Sequence, residues 1–210
     1  MINDLLSVIA ERHPLTDADS ITGLKASGMK FNIKSYKAEG LGHVSVMSAK
    51  GFFGLMKMDT LIVNPTEVDL PLYSYDRILA MGNDVLIVEL YDTLADHDSF
   101  DMCDVKESYT DLTERDPGEH WYDSIKLPMS ISKKGKKLNT PRMNELTTEH
   151  FKAYLDQAKP TDMKSLKMEK ASLYVEGLIS KGGPSTDAFK KAIGEERTAE
   201  LFRNILFGTK

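Results

Sequence analysis

The sequence predicts an α+β fold, an antiparallel sheet of about six strands with helices packed on its faces. Three observations predict it. From Lys30 to Leu90 five successive runs alternate with period two or read as apolar strand segments. The connections between them are too short for the crossovers that parallel neighbours need, so the sheet is an antiparallel meander. From Asn144 onward the apolar spacing becomes helical.

At 210 residues the chain can bury a sizeable core, and it reads as one domain, 1–210, with no internal repeat. A net charge of −5 argues against nucleic acid, whose phosphates need a basic face. A single cysteine, Cys103, excludes an internal disulfide and a cysteine-ligated iron–sulfur cluster. The start, MINDLLSVIAERHP, has acids and no basic lead-in, unlike a secretory signal. No apolar run approaches the ~20 residues that span a bilayer. The expectation is a cytoplasmic protein with no membrane or nucleic-acid partner.

The elements follow in order. Ile2 to Arg12 has helical spacing through Ile2, Leu5, Leu6, Ile9 and Ala10, and Pro14 stops it. Thr16 to Gly28 is polar and reads as a connector or short helix. Lys30 to Glu39 alternates as an edge-like strand, and Leu41 to Ala49 alternates again. Lys50-Gly51 suits a turn, and Phe52 to Val63 is a third strand, bent at Gly54. Pro65 and Pro71 bracket a loop, because proline cannot donate within a ladder. Asp92 to Asp116 is acidic, with a helical candidate over 100–112 and no regular oxygen-ligand spacing for a metal. Trp121 to Ser132 reads as a sixth strand, and KKGKKL as a basic turn. Helices follow over 144–159, 161–179 and 187–207, the last capped by Ser185 or Thr186 and interrupted at Gly194.

The organising stretch is Leu61 to Leu94. Leu72, Ser74, Asp76 and Ile78 share one strand face, Tyr73, Tyr75, Arg77 and Leu79 the other. Gly82-Asn83-Asp84 is turn chemistry. Seven of the ten residues from Val85 to Leu94 are apolar or aromatic, which places that strand mid-sheet with both faces covered. An acid at position 76 then has two readings. It faces solvent or pairs with Arg77 or a lysine; or it lies against an apolar pocket, where desolvation raises its pKa and lets it deliver a proton. Glu89 on the next strand has the same two readings.

No nucleotide, flavin, phosphate-loop or serine-hydrolase motif is present. His43, on a strand, and His120, in a loop beside Trp121, are each read as a packed histidine or a pocket residue. The eleven methionines fill the core or line a flexible pocket for a planar ligand. Lys133, Lys134, Lys136 and Lys137 form a solvated hairpin tip or a docking patch for an acidic protein.

Two segments together carry a family resemblance. VDLPLYSYDRILAMGNDVLIVELYDTL resembles the central hairpin of the ferredoxin-dependent bilin reductases. YVEGLISKGGPSTDAFKKAIGEERTAELFRNILFG resembles their C-terminal end, through Tyr174, Gly183-Pro184, Ile193-Gly194-Glu195 and Leu206-Phe207. Red chlorophyll catabolite reductase is a more distant likeness. The resemblance implies an α/β/α sandwich with a central antiparallel sheet and helices on both faces, holding a bilin such as biliverdin between the sheet and the C-terminal helices. It implies an oxidoreductase with no bound cofactor and no metal, taking electrons from reduced ferredoxin or a similar acidic carrier. Asp76 falls on the family's proton-donating aspartate; Ser74, His43, His120 and Lys181 are the candidate substrate contacts. The chain departs from the family pattern at three places. Asp59 and Thr60 stand where some members carry a histidine, Ser45 to Ser48 where some carry a glutamate, and Gly183 where many carry an aspartate. Lys181 and Asp187 flank that last position as substitutes. The alternative is a tetrapyrrole-binding protein without chemistry, or a scaffold whose pocket is filled by its own methionines and aromatics.

Overall fold

The computed structural model describes residues 1–97, 100–102, 105 and 107–210. Cys103 and part of the 100–112 helical candidate lie outside the described residues. One helix, α1 (Ile2–Ala10), precedes a meander of six long strands: β1 (Leu15–Ala26), β2 (Met29–Ala38), β3 (Gly42–Gly51), β4 (Met56–Pro65), β5 (Leu72–Ala80) and β6 (Asn83–Tyr91). Two shorter strands follow, β7 (Thr113–Glu114) and β8 (Ile131–Lys136). The last third holds α2 (Thr140–Asp156), α3 (Lys164–Lys181), α4 (Pro184–Ile193) and α5 (Glu195–Glu200), which continues as a π-helical turn over Leu201–Leu206. The sheet is antiparallel throughout, with eight strands in the order β1-β2-β3-β4-β5-β6-β8-β7.

The sheet is therefore wider than the expected six strands. Thr16 to Gly28 is not a connector: β1 forms the sheet edge, so β2 is an interior strand. Trp121 to Ser130 does not join the ladder as a strand; the strand begins at Ile131 and runs through the lysines read as a turn. Lys133 lies inside it and is buried. Its Nζ donates to the carbonyls of Tyr109 and Leu112, each at 3.2 Å, and meets Glu114 at 2.6 Å. The third strand starts at Met56, after a tight turn at Phe52–Gly54. The β5–β6 turn is Met81-Gly82, and Asp84 sits within β6, buried against Arg77 and Thr140. Gly183, not Ser185 or Thr186, precedes α4.

Period-two alternation divides the sheet into two faces with separate cores. Leu61, Val63, Tyr73, Tyr75, Leu86 and Val88 pack with α1 and α2. Ile62, Leu72 and Tyr91 face the other way, with Tyr174, Phe189 and Phe202 of α3, α4 and α5. Helices thus cover both faces of the sheet.

The second helical layer is tied down at both ends. Lys167 of α3 is fully buried; its Nζ donates to the carbonyls of Leu70 at 2.7 Å and Thr93 at 3.0 Å, and pairs with Asp69. At the far end, the Ser45 hydroxyl donates to the Leu206 carbonyl at 2.7 Å and the Asn64 amide to that of Phe207 at 2.8 Å. A helix C-terminus leaves carbonyls without partners, and sheet side chains supply them here.

Candidate active site

Between the second sheet face and these helices lies a cavity of about 280 Å³, near the lower end of ligand-pocket sizes. Its floor comes from alternate residues of neighbouring strands. Thr60 and Ile62 of β4, Ser74 and Asp76 of β5, and Ile87 and Glu89 of β6 line it. Tyr174 and Leu178 of α3, Ser185 and Thr186 of α4, and the Phe202–Phe207 end of α5 form the roof. The 115–122 loop supplies Arg115, Pro117, His120 and Tyr122 at one side.

Asp76 is paired with neither Arg77 nor a lysine, because Arg77 points to the other face and is bound by Asp84. Its carboxylate accepts a hydrogen bond from the Thr60 hydroxyl, directly across the ladder. Burial pushes its pKa up, the Thr60 bond opposes the rise, and the negative charge of Glu89 adds to it, giving about 6. An acid of that strength is about one-tenth protonated at pH 7, against about one-thousandth for an ordinary aspartate. The site therefore holds a usable proton near neutrality, the property a general acid needs.

Glu89 lies opposite Ser74 in the β5–β6 register, one cavity-facing position from the Asp76–Ile87 pair. The Tyr91 hydroxyl donates to it at 2.6 Å, and the Lys126 ammonium stands 3.8 Å away. Aromatic rings form a continuous wall beside these acids. Tyr91 and Tyr174 stack at 4.1 Å, Tyr122 meets Tyr91 edge-on at 5.5 Å, and His120 stacks on Tyr122 at 4.8 Å. Trp121 closes the outside of this wall, its indole N–H donating to the Gly182 carbonyl at 3.0 Å. Gly177 permits this approach, since a Cβ there would lie 2.2 Å from the Trp121 ring. Among the described residues, no three His, Cys, Asp or Glu side chains converge to hold a metal ion.

The structure brings Asp76, Ser74 and His120 into one cavity. It does not bring His43 there. The His43 ring donates from Nε2 to the Ile205 carbonyl at 2.9 Å, so it anchors the last helix, and burial lowers its pKa. Nor does it bring Lys181, whose ammonium lies over the outer face of Trp121 at 4.9 Å. Asp59 and Thr60 divide: Thr60 faces the cavity, whereas Asp59 lies on the opposite face, near the chain's amino terminus. Arg115 and Tyr122 are cavity residues that the sequence reading did not single out, and Tyr174, quoted there only within the C-terminal segment, is a third. Tyr91 and Glu89 follow from it, because the hairpin register carries the Asp76 face onto the odd positions of β6.

No protein-family model and no curated protein matches this chain. Among solved structures it is similar to phytochromobilin synthase from tomato, determined in complex with biliverdin. The match has 15% sequence identity and a TM-score of 0.73, and covers 99% of this chain and 82% of that one. The likeness is one of fold. It spans the sheet, both helical layers and the elements that enclose the cavity, and that fold accommodates a biliverdin in the tomato enzyme.

Proposed function

We propose that this protein binds a linear tetrapyrrole, a bilin, in the cavity and reduces it with electrons from a ferredoxin-like carrier, with Asp76 as the proton donor. The observation that carries the reading is the Asp76 carboxyl, held near a pKa of 6 on the floor of an aromatic-walled cavity. The fold shared with a biliverdin-bound synthase supports the substrate class. The stacked tyrosines suit a flat conjugated ligand, and Arg115 suits one of its carboxylates.

Reduction of one bilin double bond consumes two electrons and two protons. Protonation of the conjugated system by Asp76 makes uptake of the first electron from the carrier easier; the resulting carboxylate takes a proton from solvent and delivers it once the second electron has arrived, and a further solvent proton restores the acid. Ser74, beside Asp76 on the same strand face, offers a hydroxyl to a lactam carbonyl. No group on the cavity floor needs to change electron count itself.

The test is an anaerobic titration of the protein with biliverdin, then with reduced ferredoxin, followed by absorbance. The expected result is a spectral shift on binding and bleaching of that band on reduction. Asp76→Asn should bind with the same shift and fail to turn over. A bound spectrum unchanged by reductant would identify a tetrapyrrole carrier instead, and no spectral shift at all would remove the bilin reading.

A further inference from the structure

One end of the sheet carries features that the cavity does not use. Four turns lie side by side there: Ser27-Gly28, Phe52 to Leu55, Met81-Gly82, and Lys137-Leu138 beyond β8. They are knitted together, the Met81 N–H donating to the Leu55 carbonyl and the Lys137 N–H to that of Gly82, both at 3.2 Å. The Phe52 ring reaches over Gly28.

These turns hold side chains that their backbone and their exposure disfavour. Among the described residues, seven large apolar side chains are exposed, and five of them are Phe52, Phe53, Leu55, Met81 and Leu138. Phe53 projects wholly into solvent. Among the described residues, the non-glycine ones with left-handed backbone are Ser27, Phe52, Phe53 and Met81, with φ of 49°, 50°, 55° and 51°; all lie in this row. A two-residue hairpin turn takes Asn, Asp or Gly at the position Met81 occupies. The fold alone therefore gives no reason for a methionine or paired phenylalanines at these tips.

The same edge is cationic in a chain of net charge −5. Lys25, Lys30, Lys50 and Lys57 stand exposed beside the first two turns, and Lys136 and Lys137 beside the others. Among the described residues none of the six forms an ion pair with an acid; Asp59, half-buried, is the carboxylate whose titration Lys50 and Lys57 influence. Of the other two members of the basic run that sequence reading linked to docking, Lys134 is exposed and Lys133 is committed to Glu114.

We propose that this row of turns docks on an anionic lipid membrane, its apolar tips entering the headgroup boundary and its lysines meeting the lipid charges. The pairing of apolar insertion with a basic rim is the two-signal arrangement that reversible surface binding needs. A second copy of the chain is disfavoured as the occupant, because a two-fold contact would set one lysine rim against the other. Separate protruding tips on four turns also match a fluid interface better than the flat, packed centre of a protein contact. Such a contact needs no spanning helix, and none of the described helices is long and apolar enough to be one.

Vesicle flotation of the full chain tests this, with phosphatidylcholine vesicles made with and without phosphatidylglycerol. The chain should float with the anionic vesicles alone and be released by high salt. Lys50→Ala should weaken binding about fivefold, and the double variant Phe52→Ser, Phe53→Ser should not float. Met81→Asn places a turn-compatible polar residue at the tip, so it should fold at least as well as the parent and still bind anionic vesicles more weakly. Failure of the parent to float, or flotation of Met81→Asn at parental strength, overturns the proposal. So does loss of electron uptake from reduced ferredoxin in these variants with vesicle binding intact, which would make an acidic protein the occupant.

Discussion

Thr60 and Asp76 face each other across the β4–β5 ladder, and the Thr60 hydroxyl donates to the Asp76 carboxylate. That bond favours the ionised acid, while burial and the charge of Glu89 favour the neutral one and prevail. Thr60→Val keeps the shape and removes the donor. The Asp76 pKa should then rise above about 6, by up to about one unit if the bond contributes the usual ~1 kcal/mol. Carboxyl carbon NMR titration of labelled protein reads the shift directly, and a lower or unchanged pKa would show that the bond does not favour the carboxylate.

The raised pKa has a stability consequence with a definite sign. Between the ordinary aspartate value of 3.8 and about 6, the folded protein binds the Asp76 proton more tightly than the unfolded chain does. This contribution therefore favours folding at acid pH and is lost as pH rises through that window. Two units correspond to about 3 kcal/mol. Asp76→Asn, which cannot ionise, should be more stable than the parent at pH 7 by an amount of that order. The difference should shrink toward pH 4. Urea denaturation at the two pH values checks it, and equal differences at both would contradict the desolvated acid.

Glu89 acts on Asp76 through its charge, with Tyr91 and Lys126 holding it in place. Glu89→Gln retains a hydrogen-bond acceptor for Tyr91 and removes the negative charge. The Asp76 pKa should fall below about 6. On the proposed function, the alkaline limb of the bilin-reduction pH profile, where Asp76 loses its proton, should move to lower pH with it, whereas bilin affinity at acid pH should change little. A profile that stays in place while the NMR pKa moves would separate Asp76 from the proton-delivery step.

The strands from β2 to β6 were legible because each buries at least part of one alternating face. β1 was not, since Thr16 to Ser20 is exposed throughout and shows no core-facing period. β8 was read only at its first two residues, Ile131 and Ser132, for the opposite reason. Lys133 reads as surface, and only tertiary packing supplies the two carbonyls and the Glu114 carboxylate that let it be buried. Trp121 and Tyr122 look like strand residues but pack on Tyr174 instead. Asp76 was legible as an acid on the apolar face of a hairpin. His43 was misplaced because its partner, Ile205, lies 162 residues away and leaves no local trace.

That long-range contact belongs to a set that fixes the roof of the cavity. His43, Ser45 and Asn64 bind the successive carbonyls of Ile205, Leu206 and Phe207. Ser45 is buried, so Ser45→Ala would leave the Leu206 carbonyl without its donor in a dry site, at a cost of about 1–3 kcal/mol. Because Leu206 and Phe207 line the cavity, the loss should also loosen the roof. Amide exchange should accelerate over 201–207 more than in β5 or β6, and biliverdin should bind more weakly. Gly208→Ala acts on the same junction from the other side: its backbone is left-handed, and a Cβ there would lie 2.3 Å from the His43 ring. Matching exchange patterns in the two variants would identify the junction as the hinge of the roof, whereas unchanged exchange in both would show that helix packing alone holds it.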